Sequence, residues 1–456
     1  MKRFFSLTFS LSLLILMAAM IGGCSAAGPI LANARIEPAV ISPNADGVAD
    51  VARISYTIRR PSEISIYFED EAGHRYYFRQ NKHRGPRDYN VLWGGVIEEP
   101  IHLIEPENLL KPRYLGRVLP DGRYHWVIEA TDARGKSDRA EGEITIENAD
   151  TEVPQFENFA VNPQVITPNQ DGINDRASIT YWLTKDVEEI QVYLMNPHDE
   201  ENPERKYPLE PTERELKSTD AGYHFYDYDG GIDKGADPPP DGDYLVVAEA
   251  WDKVGNHNIV TGTLTIENGG YPRANIVKGE VTMVGPFDSG YKLNIPLGGK
   301  MIFTATIEND GKVPIRTAGP WPGTVYKASE NYNTLAYREN ESSWFEQSGT
   351  WRFGLNYQSN FGQDWPFRFA VGRKDEDLRC EMINGLEQCF LDPGKRGLVY
   401  GTIIWDIIPP RNPFRIWGGL LHEDVRIENN FADVHEIEIA DPRQSPDATP
   451  QITPQP

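Results

Sequence analysis

The 456-residue sequence predicts an all-β protein made of tandem β-sandwiches. Apolar residues recur at every second position in short runs such as Ile54, Tyr56 and Ile58, so each strand turns one face inward and one toward solvent. Asp-Gly dipeptides separate the runs, for example at 121–122 and 241–242, and this spacing is typical of antiparallel sandwiches. Helical periodicity is nearly absent.

A duplication divides the chain. Residues 42–58 read SPNADGVADVARISYTI and residues 167–183 read TPNQDGINDRASITYWL. The two copies also end alike, with PDGRYHWVIEATDARG at 120–135 and PDGDYLVVAEAWDKVGN at 240–256. Two homologous β-domains, called repeat 1 and repeat 2 below, follow from this duplication.

The remaining boundaries come from composition. A third strand-rich region does not repeat the first two, and the final residues are a Pro, Gln and Thr tail that is too polar to bury a core. The predicted order is a signal peptide (1–23), a lipidated cysteine and linker (24–35), repeat 1 (36–148), repeat 2 (156–268), a third β-sandwich (275–440) and a disordered tail (441–456).

The N-terminus predicts export. Lys2 and Arg3 precede an apolar run that ends at Gly22-Gly23-Cys24. This end resembles a bacterial lipobox, which implies that Cys24 is acylated and holds the protein to a membrane outside the cytoplasm, in the cell envelope. An uncleaved single-span helix and an ordinary secretory signal are the alternatives. The membrane that carries the anchor stays open.

The charge of the chain excludes one class of partner. The formal net charge is -23, and removal of the signal takes away two cations and makes it more negative. The sequence shows no basic stripe that could collect phosphates, and we therefore expect no nucleic acid partner.

Two further cysteines are predicted to form a disulfide. Cys380 and Cys389 flank Asn384-Gly385, the strongest short hairpin-turn dipeptide, so they can face each other across two strands. In an exported protein such a pair is typically oxidised. A free-thiol redox pair is the alternative, although the spacing is not that of CxxC.

The repeated motifs resemble the Ig-like domain of the flagellar hook-capping protein. The pattern is Pro-Asn-x-Asp-Gly-x-x-Asp, an aromatic-Gly step at Trp93 and Tyr228, Pro-Asp-Gly-x-Tyr, and Ala-x-Asp-x-x-Gly. The resemblance implies Ig-like spacer or interaction modules and carries no chemistry by itself. An assembly region is missing and a lipobox precedes the repeats, so we do not predict a hook cap.

The third region resembles the cell-adhesion-related Ig-like domains of bacteria. The matching segments are IPLGGKMIFTATIENDG, LDPGKRGLVYGTIIWD and RIENNFADVHEIEI. This resemblance implies a third sandwich with a role in adhesion.

An acidic loop of repeat 2 is a candidate calcium site, because it gathers oxygen-bearing side chains and calcium prefers several oxygen ligands. The alternative is a turn in which these side chains bind nearby backbone amides. The candidate ligands are Asn169, Asp171, Asn174 and Asp175. Calcium is the one cofactor that we consider.

Aromatic and arginine residues of the third region are candidates for ligand binding. Sugar rings stack on Trp351 and Trp365 in this hypothesis, while Arg352 and Arg368 bind a carboxylate. Packing in a core is the alternative for all four.

The sequence contains no GxSxG motif, and His422-Glu423 lacks the second histidine of a zinc helix. We therefore predict a non-enzymatic surface lipoprotein whose repeats hold the third domain outward for adhesion, scaffolding or ligand binding. Envelope polysaccharide and surface proteins are the expected partners. A carbohydrate-binding lipoprotein with a lectin-like third domain is the alternative, and an envelope enzyme is a third.

Overall fold

The computed structural model describes residues 28–101, 113–199, 201–202, 204–212, 216–288 and 290–441. The predicted lipidation at Cys24 and nearly all of the predicted disordered tail therefore lie outside the described residues. Within the described part the chain is almost entirely β-structure arranged in tandem sandwiches, which confirms the predicted fold class.

Repeat 1 is a sandwich of two sheets, ordered β1-β3-β6 and β2-β10-β9-β4-β5. Its core includes Phe68 and Trp93, whose rings stack with centroids 3.8 Å apart. The first strand starts at Leu31, inside the segment that we predicted to be a linker. The strands are β1 (Leu31–Glu37), β2 (Val40–Ile41), β3 (Ala52–Ile58), β4 (Ser62–Glu69), β5 (Arg75–Arg84), β6 (Arg87–Trp93), β7 (Val96–Ile101), β8 (Arg113–Val118), β9 (Gly122–Asp132) and β10 (Ser137–Ile146).

Repeat 2 has the same plan, with a β11-β13-β16 sheet facing a larger one. Trp93 lies opposite Ala52 in repeat 1 and Tyr228 lies opposite Ala177 in repeat 2, so the two aromatic-Gly steps occupy equivalent positions. The strands are β11 (Phe156–Asn162), β12 (Val165–Ile166), β13 (Ala177–Leu183), β14 (Glu189–Met195), β15 (Lys206–Pro208), β16 (Gly222–Tyr228), β17 (Gly242–Trp251) and β18 (His257–Ile266), with a 3₁₀ turn at Ile232–Lys234.

One hairpin links the two repeats. The β7–β8 hairpin belongs to the chain of repeat 1 but adds to the larger sheet of repeat 2, in the order β15-β14-β17-β18-β8-β7. Within this sheet β8 pairs antiparallel with β18, Gly116 opposite His257. The repeats therefore share a sheet and are not joined by a flexible linker alone.

The third domain packs two sheets over one large apolar core. The smaller sheet runs β19-β23-β30-β25 and the larger one β21-β22-β32-β31-β26-β24-β29-β28. The elements are β19 (Asn275–Ile276), β20 (Thr282–Val284), β21 (Phe287–Asp288), β22 (Lys292–Pro296), β23 (Lys300–Glu308), β24 (Ile315–Thr317), β25 (Val325–Lys327), α1 (Tyr332–Glu339), a 3₁₀ turn (Ser342–Trp344), β26 (Trp351–Tyr357), β27 (Phe367–Ala370), β28 (Arg379–Ile383), β29 (Leu386–Leu391), β30 (Arg396–Ile404), β31 (Phe414–His422) and β32 (Arg426–Ala440).

The helix α1 is a feature that the sequence analysis missed. Asn331 begins it, because its side chain accepts the Thr334 amide while the Thr334 hydroxyl accepts the Asn331 amide, a reciprocal cap. Of the helices that the structure describes, none has the length and the apolar character that crossing a bilayer requires.

The predicted disulfide is confirmed. Cys380 and Cys389 are paired across β28 and β29 and bonded through their sulfurs. Asn384 and Gly385 both have positive φ, at 52° and 79°, which is the backbone of a type I′ hairpin turn. The bridge is consistent with an oxidising, exported setting.

Candidate functional site at the joints between domains

The two acidic loops have the same internal structure. In repeat 1 the Asn44 side chain accepts the amide of Asp46, and both oxygens of Asp50 accept amides from Asn44, Ala45 and Gly47. Repeat 2 reproduces these bonds with Asn169, Asp171 and Asp175. These side chains therefore hold the turn together, as the alternative interpretation of the motif proposed.

The surroundings of the two loops differ. In repeat 1 the loop faces solvent, and Val48 is 68% exposed. In repeat 2 the third domain covers the loop, so that Asn169 and Asp171 are only 4% and 6% exposed. This contact is the joint between repeat 2 and the third domain.

The backbones of repeat 2 and of the third domain are in close contact at this joint. A Cβ placed on Gly172 would lie 2.3 Å from the Ser348 carbonyl oxygen, and one placed on Gly349 would lie 2.3 Å from the Asp171 carbonyl carbon. Both glycines have positive φ, at 81° and 80°. No other residue satisfies both the left-handed backbone and the close approach.

Polar groups fix the orientation of the joint. His422 Nε2 lies 2.8 Å from the backbone oxygen of Gln170, and since a carbonyl only accepts, this ring nitrogen carries the proton. Arg426 donates to the Pro272 carbonyl at 2.9 Å and lies over the Tyr271 ring at 4.6 Å. The contacts are directional, so they define one arrangement of the two domains.

Burial at the joint changes two pKa values in opposite directions. Burial, and then the neighbouring Asp175 carboxylate, raise the pKa of Asp171 to about 7, although the Arg316 guanidinium opposes the change. Burial lowers the pKa of His422 to about 4. A neutral imidazole and a carboxyl that readily takes a proton therefore lie on facing surfaces.

Three of the four predicted calcium ligands accept backbone amides. Asp175 uses both carboxylate oxygens for backbone amides, and Asp171 uses Oδ1 for the amide of Ile173 at 2.8 Å. Asn169 accepts the Asp171 amide, while Asn174 is exposed. Within the described ranges no group of three or more His, Cys, Asp or Glu side chains could hold a metal ion.

The four residues predicted to bind a ligand are buried. Trp351 stacks on His422 with ring centroids 4.4 Å apart. Trp365 covers Gly354 and Gly419, where an added Cβ would lie 2.9 and 2.2 Å from its ring. Neither ring presents a face to a soluble sugar, so the stacking role predicted for them is corrected to a packing role.

Arg352 and Arg368 are corrected in the same way. Both contact Glu423 inside the third domain, at 3.5 Å and 2.5 Å respectively, and Arg352 also donates to the Phe345 carbonyl at 2.9 Å. Glu423 therefore joins two buried guanidiniums instead of leaving them free for a ligand carboxylate. Strand β31 ends at His422 and Glu423 lies in the turn that follows, so the pair does not begin a zinc helix.

Asn256 is the centre of the joint between the repeats. Its side-chain oxygen accepts the Val118 amide at 2.8 Å and its side-chain nitrogen donates to the Asp150 carbonyl at 2.9 Å. Lys185 bridges Asp150 and Asp252 at 2.8 and 3.0 Å. Asn256 is fully buried, so the Val118 amide of repeat 1 and the Asp150 carbonyl of the connector both depend on it.

A groove of about 700 Å³ lies on repeat 2. Its walls include Tyr207 and Tyr228, and Asp227 stands at its edge beside Arg176, which binds that carboxylate through two nitrogens at 2.8 Å. The buried Tyr228 hydroxyl has no hydrogen-bond partner in the part of the chain that is described. The equivalent Trp93 instead donates to the Val96 carbonyl at 2.9 Å. The sequence predicted a ligand groove in the third domain instead, and no motif indicated this one.

Comparison with known proteins assigns no identity. No family model matches the chain, and neither does any curated protein. The resemblance to the hook-capping Ig-like domain therefore stays a prediction.

Some solved structures show a low similarity to this chain. A calcium-stabilised adhesin with which an Antarctic bacterium binds ice is 13% identical, with 90% of this chain and 74% of that chain covered and a TM-score of 0.23. A tetra-tandem repeat from the extending region of a large adhesion protein is 12% identical, with 84% and 80% covered and a TM-score of 0.17. A Bacteroides ovatus protein of a mixed-linkage glucan utilisation locus, bound to a heptasaccharide, is 10% identical, with 88% and 66% covered and a TM-score of 0.16. At these values the similarities carry no argument about fold, ligand or function.

Proposed function

We propose that the protein is a non-enzymatic, lipid-anchored protein of the cell envelope that holds its third domain at a fixed orientation for adhesion, scaffolding or ligand binding. The observation that carries the proposal is the closure of the third domain over the acidic loop of repeat 2. Buried, directional contacts at both joints support a semi-rigid rod. The disulfide and the lipobox-like Gly22-Gly23-Cys24 support export.

The outward face of the smaller sheet of the third domain supports a contact role. Val284, Ile302, Thr402 and Val325 are paired side by side across four strands, and the three apolar members are each about half exposed. Tyr400 adds a partly exposed ring in the neighbouring row. Apolar side chains in such a row are typical of surfaces that meet another macromolecule.

Two measurements test the proposal. Incorporation of labelled palmitate that is lost in Cys24→Ser would support the anchor, and unchanged membrane attachment of that variant would contradict it. Binding to envelope polysaccharide and to intact cells should fall in Ile302→Lys and should persist in Val48→Lys, which changes an exposed residue of repeat 1. Equal binding by both variants would exclude this face.

A glycan-binding function is the second candidate, because the groove of repeat 2 combines tyrosine rings with carboxylates. A glycan array on the whole protein should give signals that fall in Tyr207→Ala and persist in Tyr223→Ala, a control tyrosine of the same repeat that does not line the groove. Flat responses across neutral and charged glycans would remove this candidate.

A further inference from the structure

Three turns form the end of repeat 1 at which the described chain begins. Across the first sheet Leu31 lies opposite Ile58, and Ile58 lies opposite Arg87. Across the second sheet Ser62 lies opposite Arg84 on one side and the end of β9 on the other. The β3–β4, β5–β6 and β9–β10 turns therefore meet here, at what we call the proximal end.

Each of these turns carries two cations. They are Arg59 and Arg60, Arg84 and Arg87, and Arg134 and Lys136. Arg60 is structural, because it binds Asp132 at 2.8 Å and the Gly28 carbonyl at 2.9 Å. Arg59, Arg84, Arg87 and Arg134 form no ion pair with any carboxylate that the structure describes. No basic surface is evident from the sequence, since these residues are far apart in the chain and only the fold brings them together.

The carboxylates of the proximal end are engaged. Asp138 accepts the amides of Ile30 and Leu31, and Glu63 lies 3.0 Å from His83. Asp88 accepts the hydroxyl of Thr57 at 2.6 Å. With Asp132 these side chains supply four negative charges against the six cations of the turns, so the proximal end keeps a net positive charge on a protein whose net charge is -23.

In repeat 2 another domain covers the positions equivalent to the β9–β10 turn. Aligned through the duplicated motifs, Val254 and Asn256 stand where repeat 1 has Arg134 and Lys136. In repeat 2 that turn is buried against repeat 1, with Asn256 at its centre. Repeat 1 has no preceding domain among the described residues, and cations replace the joint residues on that surface.

A cleft beside the β5–β6 turn has room for an anion. Its volume is about 240 Å³, and its lining includes Arg79, Arg84, Arg87, Tyr56 and Tyr89. The guanidinium groups of Arg84 and Arg87 lie over the Tyr89 ring at 5.5 and 4.6 Å. Guanidinium groups bind phosphate oxygens through paired N–H donors.

We propose that the proximal end docks onto the anionic phosphate headgroups of the membrane that carries the protein. This inference rests on the proposed lipid anchor. Only residues 25–27 separate Cys24 from Gly28, and an extended link of that length reaches at most roughly 15 Å. Anionic lipid attracts lysine and arginine near its surface, while the acidic bulk of the protein lies beyond the screening distance of about 8–10 Å. The docked end orients the rod away from the bilayer.

The test uses the whole exported chain without its signal and without acylation. Binding is measured to vesicles of phosphatidylglycerol mixed with phosphatidylcholine and to vesicles of phosphatidylcholine alone. We expect binding to the anionic vesicles only, weakened by salt. Arg87→Gln with Arg134→Gln should bind about 30-fold more weakly, since two contacts of this kind are removed. Arg53→Gln with Arg123→Gln, the same charge change at the other end of repeat 1, should bind like the wild type.

Three outcomes would overturn the proposal: equal binding to both vesicle types, equal losses in both double variants, or full displacement by inorganic phosphate, which would indicate a free-phosphate pocket. Circular dichroism of each variant checks that the fold is kept. Palmitate labelling at Cys24 is measured separately, so failure of the lipid anchor and failure of headgroup binding are distinguishable.

Discussion

The loop at residues 44–50 and the loop at 169–175 have the same backbone bonds and opposite surroundings. The first is open to solvent, and the second is enclosed by the third domain. At the opposite ends of the repeats the situation is reversed. The turn of repeat 2 that contains Asn256 is buried against repeat 1, whereas the proximal end of repeat 1 presents cations. The two loops therefore have the same backbone structure, and the residues around each loop determine whether it is exposed or packs against another domain.

The largest expected difference between the copies comes from one glycine. Gly172→Ala and Gly47→Ala both place a side chain on a left-handed backbone, at a cost of about 1 kcal/mol. Only Gly172 then collides with a carbonyl, whereas nothing lies within 4 Å of a Cβ on Gly47. We expect Gly172→Ala to weaken the joint by about 3 kcal/mol more than its control weakens repeat 1.

Small-angle scattering and limited proteolysis of the whole chain measure this difference. Gly172→Ala should broaden the distribution of molecular dimensions and expose the connection near residue 270 to protease. Gly47→Ala should do neither. If both variants behave alike, the close contact at Gly172 does not hold the domains together.

Asn256→Ala is expected to have the next largest effect. It leaves the Val118 amide and the Asp150 carbonyl without their partner, which costs about 2 kcal/mol. Lys136→Ala changes the equivalent exposed position of repeat 1 and should cost less than about 0.5 kcal/mol. Hydrogen exchange of the Val118 amide reports the opening of this joint. Unchanged protection in Asn256→Ala would show that the shared sheet alone maintains it.

The pH dependence of the joint is a third comparison. The raised pKa of Asp171 weakens docking as pH rises toward about 7, and the lowered pKa of His422 weakens docking as pH falls from 6.5 toward about 4. The two effects oppose each other in the window that they share. In Asp171→Asn only the His422 effect remains, so its joint should weaken as pH falls through that window.

Above pH 7 the same variant should dock more tightly than the wild type by about 1 kcal/mol, because no charge is buried. Scattering across the pH range measures both effects. Asp46→Asn, the exposed equivalent, should follow the wild type. A pH profile of Asp171→Asn identical to that of the wild type would mean that Asp171 is not titrating at the joint.

The smallest expected effect is that of calcium. Both oxygens of Asp50 and of Asp175 accept backbone amides, so an ion competes with those bonds for the carboxylates. We expect added calcium to shift the melting temperature by less than about 1 °C. Titration calorimetry on the whole chain checks this. A binding heat that disappears in Asp175→Asn would restore the calcium hypothesis.

Local patterns predicted much of the fold. Alternating residues gave the strands, and Asn384-Gly385 between two cysteines gave a hairpin and its disulfide because turn type and pairing are set by neighbouring residues. The start of repeat 1 was placed too late, since nothing in the residues near Leu31 separates a first strand from a linker.

The candidate site depended on contacts that are distant in sequence. Strand β26 is buried at every position, so its tryptophan and arginine lie inside although the pattern allowed an exposed groove. Asp171 and Asp46 have nearly the same local sequence, and only the third domain makes one of them buried. Local residues fix how such a loop is built but not what covers it.

The shared hairpin has a consequence for biogenesis. Strands β7 and β8 are synthesised with repeat 1, but their neighbour β18 is made much later. One edge of β8 is therefore unpaired until the synthesis of repeat 2 reaches β18. Open edges recruit strands from other chains. A product that stops before residue 257 would therefore be prone to aggregate, and correct folding requires that both copies are made as one polypeptide.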